Sequence, residues 1–250
     1  MKITWLSANK LGYELLKVAI RLPDVNIGSI ITLSENSETI MYDGVCRERW
    51  DDFGVEVFDV EDINKEMALL DNVSDGLVIS CGWRQVIGKS ILIIPYYGFI
   101  GFHPTLLPRG RGPAPIINSI LEGYSKSGLT MFYLGEGVDD GDIIGQQSFT
   151  INKSDHADDV YAKTITAGKK LVRSYLPLVV QGKALRIPQN HSEATYFKKP
   201  KLEDNEVDFN NESAGEIFRK IRALSKPYKG AYVYKNGEKI VLWRAELIQE

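Results

Sequence analysis

Asp75-Gly76-Leu77-Val78-Ile79-Ser80, followed at Tyr97 by Gly98-Phe99-Ile100-Gly101-Phe102, is the stretch that decides the fold. The first is a short apolar run after an Asp-Gly turn signal, the pattern of a buried strand. The second is another apolar strand, and Gln85 to Ile94 between them reads as a helix. Strand, helix and strand in that order predict a parallel βαβ unit with both faces of the sheet covered. The pattern extends toward the N-terminus. Ile3 to Leu6 is a short strand, and Leu11, Leu15, Leu16, Val18, Ala19 and Ile20 then recur close to helical spacing. Asn26 to Leu33 and Val55 to Val60 are β-branched runs. In open α/β sheets ligands sit beyond the carboxyl ends of the strands, which directs attention to the residues after Ser80 and Phe102.

Toward the C-terminus, Leu129 to Leu134 and Ile143 to Ile151 read as two strands around a Gly/Asp-rich loop. Asp155 to Val180 carries apolar residues at helical intervals and predicts one long helix, with Pro177 ending or kinking it. Residues 183–212 are polar and irregular, a composition shift that marks a boundary. Ser213-Ala214-Gly215-Glu216 resembles a capping box and opens a helix to Leu224. Ala231 to Tyr234, Asn236-Gly237 and Ile240 to Ala245 read as a β-hairpin on a type I′ turn. The expected fold is therefore α/β, a Rossmann-like domain with a mostly parallel sheet over residues 1–190. A small α+β domain, a helix plus a β-hairpin, occupies 191–250.

Composition narrows the function classes. Of 250 residues, 44% are hydrophobic and 25% charged, which is ordinary for a globular chain and excludes disorder, collagen and coiled coil. Thirty Lys and Arg against 33 Asp and Glu give a formal net charge of −3, so the chain lacks the basic surplus usual for phosphate-bound proteins. No nucleic-acid partner is expected. Cys46 and Cys81 lie far apart with no His cluster beside them, and no metal is expected. Met1-Lys2-Ile3-Thr4-Trp5 has no charged segment leading into an apolar one, and no apolar run approaches about 18 residues. A cytoplasmic location without membrane contact follows as the expectation.

Two loops carry candidate chemistry. The stretch from Gly82 to Ser90 has five residues between its glycines where a phosphate loop needs four, and a Trp-Arg pair where backbone should wrap phosphate. No G-x-G-x-x-G follows the first strand, so a dinucleotide site lacks its fingerprint. Of the three histidines, His156 opens a helix and His191 lies in the polar stretch, and both read as structural or solvated. His103 instead sits at the carboxyl end of a strand and begins His103-Pro104-Thr105-Leu106-Leu107-Pro108-Arg109-Gly110-Arg111-Gly112. Two prolines and two glycines in ten residues fix an irregular loop beside an imidazole ring, a group able to take up or release a proton. Gly135 to Asp142 is acidic and lacks calcium-loop spacing. Its simple reading is a surface turn; its functional reading is a carboxylate delivered to orient a histidine.

His103-Pro104-Thr105-Leu106-Leu107-Pro108, with Arg111-Gly112 and Ala114-Pro115, resembles the H-x-S-L-L-P-x-x-R-G-x-x-P signature of formyltransferases that use 10-formyltetrahydrofolate. Asp139-x-Gly141-x-Ile143, 36 residues after the histidine, is similar to that family's D-x-G-x-I element. The resemblance covers residues 75–175 well. It resumes at Ile221-Arg222-Ala223 and Pro227 to Ala231, which look like the small domain of UDP-4-amino-4-deoxy-L-arabinose formyltransferases. The family reads N-x-H where this chain has Gly101-Phe102-His103, and Pro113 stands where the arabinose enzymes have arginine. Either another donor replaces the missing amide, Asn118, Gln85 or a backbone N–H, or catalysis is weakened.

The resemblance implies an N-formyltransferase in which His103 is the acid and electrophile, and Asp139 tunes it and accepts a proton. N10-formyltetrahydrofolate, the formyl donor, would lie across Gln85, Val86, Ile87 and Leu106 and the segment Gly135, Glu136, Gly137, Val138 and Asp139. Arg109, Arg111 and Asn118 would meet the acceptor, a UDP- or dTDP-linked amino-deoxysugar used in lipopolysaccharide or glycan biosynthesis. A homodimer is the implied assembly. Methionyl-tRNA and glycinamide ribonucleotide are alternative acceptors, and a non-catalytic folate or sugar-nucleotide binder is a third class. A tRNA enzyme should carry a larger and more basic C-terminal domain, whereas from Thr195 onward there are 11 basic and 9 acidic residues in 56.

Overall fold

In the computed structural model, which describes residues 1–39, 41–72, 76–201 and 203–248, Leu77–Ser80 is the middle strand of a seven-stranded sheet. The elements in chain order are β1 (Lys2–Leu6), α1 (Lys10–Ala19), β2 (Asn26–Leu33), α2 (Glu48–Asp51), β3 (Glu56–Val60), α3 (Met67–Asp71), β4 (Leu77–Ser80) and α4 (Lys89–Leu92). Then come β5 (Phe99–His103), α5 (Pro115–Leu121), β6 (Lys126–Tyr133), β7 (Ile143–Thr150), α6 (Ala157–Val180), α7 (Ala214–Leu224), β8 (Ala231–Lys235) and β9 (Glu238–Leu242). The sheet order is β3-β2-β1-β4-β5-β6-β7, and β8-β9 form a separate two-stranded sheet. Pairings from β3 to β5 are parallel, while β5–β6 and β6–β7 are antiparallel. Asp75, read as part of the turn before β4, lies outside the described residues.

Alternation along the central strands explains the layers. Ile3 and Trp5 of β1, Ile30 of β2 and Ile79 of β4 pack on one face with Leu11, Leu15 and Leu16 of α1 and Leu171, Val172 and Leu176 of α6. Their neighbours Leu6, Ile31 and Val78 point to the other face and join Val60, Ile63, Ile91 and Phe99. Strands buried on both faces lose polar alternation and read as continuous apolar runs. Asn9 caps α1, its Oδ1 accepting from Gly12 N–H at 3.1 Å. The long helix runs on through Pro177 to Val180, so the proline neither stops it at residue 176 nor shortens its buried face. Gln85 to Ile94 is not one helix. Only Lys89–Leu92 is helical, because Asn64 accepts from Gly88 N–H at 2.7 Å and donates to Val86 C=O at 2.9 Å, taking up backbone groups that a helix would use.

The capping box at Ser213 forms, with Glu216 N–H donating to Ser213 Oγ and Ser213 N–H donating to Glu216. From α7, Ile221, Ala223 and Leu224 pack against Ile116, Ile117 and Ile120 of α5 and Ala157 and Val160 of α6. The C-terminal helix thus rests on α5, the helix that leaves the loop after His103. The hairpin turns at Asn236 (φ 52°) and Gly237 (φ 83°), both left-handed as a type I′ turn requires.

At Gly168, α6 passes close over α1 and β6, and an added Cβ there would lie 2.8 Å from Leu15 Cδ1 and 3.0 Å from Leu129 Cδ2. Gly168→Val should therefore destabilise the fold by about 1–3 kcal/mol through overpacking. A lower urea midpoint at unchanged m-value is the expected outcome; an unchanged midpoint would contradict the close approach.

Candidate functional site

His103 ends β5, beside the point where parallel pairing gives way to antiparallel pairing with β6. Its residue is 6% exposed. The ring Nε2 lies 2.7 Å from the Gly110 carbonyl oxygen, and Nδ1 lies 3.4 Å from Asp139 Oδ2. A carbonyl only accepts, so Nε2 carries a proton. Asp139 Oδ2 faces the other ring nitrogen, Nδ1, at ion-pair distance. At 3.4 Å the Nδ1 contact is longer than a normal hydrogen bond.

The loop after His103 is held to the sheet by side chains of β6 and β7. Thr130 Oγ1 donates to Thr105 C=O at 2.7 Å and accepts from Leu107 N–H at 3.1 Å, and Gln146 Nε2 donates to Leu107 C=O at 2.8 Å. Gly112, at φ 98°, adopts a backbone conformation that side chains rarely tolerate, and its N–H donates to Asp139 Oδ2 at 2.8 Å. Asp139 is itself left-handed, with φ 50°, which aspartate adopts more readily than most residues. Two backbone groups of one loop, Gly110 C=O and Gly112 N–H, therefore hold opposite members of the His103–Asp139 pair.

Arg111, between those glycines, is 1% exposed. Its Nε and one terminal nitrogen donate to Gln189 Oε1 at 3.2 and 2.8 Å, and the other terminal nitrogen donates to Tyr196 OH at 2.9 Å. His191 Nδ1 accepts a further bond at 3.3 Å. Arg111 is thus not available to an acceptor diphosphate; it is a buried strut. Asn118 is corrected in the same way, because its amide donates to Pro113 C=O at 2.9 Å and Lys198 C=O at 3.1 Å. Arg109 is exposed.

The loops expected to flank a donor meet. Lys89 Nζ and Glu136 Oε2, both about 70% exposed, pair at 2.5 Å and tie the segment after Ile87 to the segment Gly135 to Asp139. Val86 and Val138 are 87% and 59% exposed, two apolar side chains on these facing loops. Gln85 does not face the reacting pair as a free amide: its Nε2 donates to Glu61 C=O at 2.6 Å and Thr39 Oγ1 at 3.0 Å, and its Oε1 accepts from Ile63 N–H at 3.0 Å. Leu106 packs on Gly128 of β6, six residues before Leu134. Sequence reasoning missed Gln189, Thr195 and Tyr196, which lie in the polar stretch read as a boundary.

Among the described residues no three His, Cys, Asp or Glu side chains stand together as a metal site, and no helix is long and apolar enough to cross a membrane. Burial pushes the Cys81 thiol up, away from any nucleophilic role.

Residues 59–176 match the model of the formyl transferase family, and residues 199–250 match the model of its C-terminal domain. The chain belongs to the formyl transferase family. A methionyl-tRNA formyltransferase from Bacillus velezensis is 35% identical over 188 residues, 75% of this chain and 57% of that relative. The chain spans less than two thirds of the length of the curated relatives it matches. Among solved structures, a 4-N formyltransferase from Francisella tularensis shares the fold with a TM-score of 0.77 at 24% identity, covering 100% of this chain and 98% of that one. An N-formyltransferase from Helicobacter canadensis, solved with folinic acid and dTDP-3-aminofucose, gives 0.72 at 18% identity, covering 96% and 86%.

The departure at Gly101 is built into the fold of this formyl transferase. A Cβ added there would lie 2.5 Å from Leu134 Cδ2 and 3.1 Å from Phe132, so Leu134 fills the place where the family's asparagine would begin. Gly101→Asn should lower stability by about 1–3 kcal/mol, and Gly101→Asn with Leu134→Ala should destabilise less than the two single changes added together. Thermal unfolding of the four proteins checks this; strictly additive losses would show that residues 101 and 134 do not compete for space.

Proposed function

We propose that this chain transfers a formyl group from N10-formyltetrahydrofolate to the amino group of a nucleotide-linked amino-deoxysugar. The observation that carries the reading is the His103–Asp139 pair, 3.4 Å apart and held by the backbone of one loop at the carboxyl end of β5. N10-formyltetrahydrofolate supplies the formyl carbon. The exposed Val86 and Val138 on loops joined by Lys89–Glu136 fit an aromatic donor lying between them, with backbone groups of 135–139 for its polar edge.

The chain's own groups then divide the work. Asp139, partly exposed, accepts the proton that the attacking amine must lose. His103 Nδ1–H donates toward the developing negative charge on the transferred oxygen and delivers a proton to the departing nitrogen. Of the replacements considered for the missing amide, the Asn118 and Gln85 side chains are engaged elsewhere, which leaves His103 itself and backbone N–H groups. Exposed Arg109 is the cation at hand for the acceptor's diphosphate.

Two observations favour the sugar over tRNA. A sugar N-formyltransferase from Shewanella superimposes with a TM-score of 0.77 over 100% of this chain, against 0.68 for a methionyl-tRNA formyltransferase from Clostridium thermocellum that also covers 99% of it, and the charge after Thr195 is nearly balanced. Methionyl-tRNA is the second reading, favoured by the curated relatives that carry that activity. A cytoplasmic homodimer serving glycan or lipopolysaccharide synthesis belongs to the sugar reading, with residues 1–190 as the catalytic domain and 191–250 as its appendage.

Formyl transfer from N10-formyltetrahydrofolate to a panel of UDP-, dTDP- and GDP-linked amino sugars, with methionyl-tRNA and glycinamide ribonucleotide alongside, tests the reading. Turnover on an amino sugar alone is expected; turnover only on methionyl-tRNA would replace it, and none at all would leave a binder. His103→Asn should lower kcat by at least about a hundredfold, and Asp139→Asn should also lower it. Near wild-type rates in both variants would make these residues loop scaffolding.

A further inference from the structure

We infer that Gln189 is a positioning residue for the reacting pair, a role that rests on the assignment of His103 and Asp139 to the chemistry. The Gln189 side chain is buried, at 5% exposure, and every polar atom it has is spent between two loops. Its Oε1 accepts two bonds from the buried Arg111 guanidinium, at 2.8 and 3.2 Å. Its Nε2 donates to Asp139 C=O at 2.9 Å and to Gly141 C=O at 2.7 Å. One amide therefore clamps the main chain of the carboxylate's own residue to the arginine that separates Gly110 from Gly112. Those two glycines hold His103 and Asp139.

An amide is the one side-chain group of this size that can do both. It presents an acceptor to a guanidinium and two N–H groups to two carbonyls. A carboxylate would keep the first contact and lose the second, setting a negative oxygen against two carbonyl oxygens. Asp139 is in a left-handed conformation, so its carboxylate direction follows from how its main chain is tethered. Release of that tether moves the carboxylate away from Nδ1, and misplacement by about 1 Å is enough to cost on the order of a hundredfold in rate.

Gln189→Glu separates positioning from stability, because it turns the Arg111 contact into an ion pair while removing both donors to the Asp139 loop. The expected result is a folded protein with kcat lower by about tenfold to a hundredfold and KM for both substrates within about twofold. A second readout needs no substrate. Gly112 N–H is protected by its bond to Asp139 Oδ2, so its hydrogen exchange should speed up in Gln189→Glu while amides of β1 and β4 keep their protection. Gln189→Met, which removes all polar contacts, should show the same Gly112 exchange with a lower Tm, and serves if Gln189→Glu does not fold. Wild-type Gly112 protection together with wild-type kcat in a folded variant would overturn the inference. Unchanged turnover in His103→Asn and Asp139→Asn would instead overturn the functional assignment, and Gly112 exchange would still decide whether Gln189 places the carboxylate.

Discussion

A guanidinium buried to 1% exposure is the constraint on which the site depends. Burying a charge costs several kcal/mol unless its hydrogen bonds are made elsewhere, and among the described residues Arg111 has no carboxylate partner. Its donors are instead met by Gln189, Tyr196 and His191, and the Tyr196 ring lies 5.7 Å away as a further electrostatic partner. This desolvation is tolerable only while residues 189–196 stay folded over the loop. The backbone of the two segments is knit as well: Arg111 N–H donates to Thr195 C=O at 2.9 Å and Phe197 N–H to Arg111 C=O at 2.8 Å. With residue 111 nailed down, its two neighbours point at His103 and Asp139.

The remaining elements follow from this requirement. Strand β5 delivers the imidazole, β6 and β7 support the loop through Thr130 and Gln146, and α5 begins at Pro115 directly beyond it. The C-terminal helix packs on α5 and on the start of α6, where Arg222 Nε donates to Asp155 C=O at 2.7 Å and Ala157 N–H donates to Ser225 Oγ at 3.0 Å. The small C-terminal unit thereby braces the helix that leaves the site loop. A rigid scaffold presenting a fixed loop is what a transfer reaction between two bound molecules needs, since geometry supplies much of the barrier reduction.

Much of the fold was legible because it rests on patterns of period two and 3.6. Ile3-Thr4-Trp5-Leu6, Asn26 to Leu33 and Leu77 to Ser80 became strands within a residue of their apolar runs, and Ser213 capped its helix as its Glu216 partner implied. Gln85 to Ile94 misled because its apolar spacing is helical while its backbone bonds go to Asn64, 24 residues away from Gly88. Residue types left the acidic loop as either a surface turn or a source of a carboxylate for His103, and Asp139 was singled out by the resemblance to the family's D-x-G-x-I element; the two side chains lie 3.4 Å apart. The contacts that the resemblance implied for Arg111 and Asn118 differ from those found, because a side chain free for a ligand and one spent on distant main chain or amides have the same local sequence. Gln189 was hidden altogether: it lies 78 residues from Arg111, in a stretch whose irregularity looked like a linker.

At the centre of the site is a histidine whose ring lies between Gly110 C=O on one side and Asp139 on the other. Long-range proton–nitrogen NMR correlation of the His103 ring in the intact protein reads this directly. The expected spectrum shows a proton on Nε2 in slow exchange, hydrogen-bonded to the carbonyl, and an Nδ1 resonance that moves when Asp139 is replaced by asparagine. A ring with unprotonated Nε2, or with an Nδ1 resonance indifferent to residue 139, would contradict the arrangement on which the proposed chemistry is built.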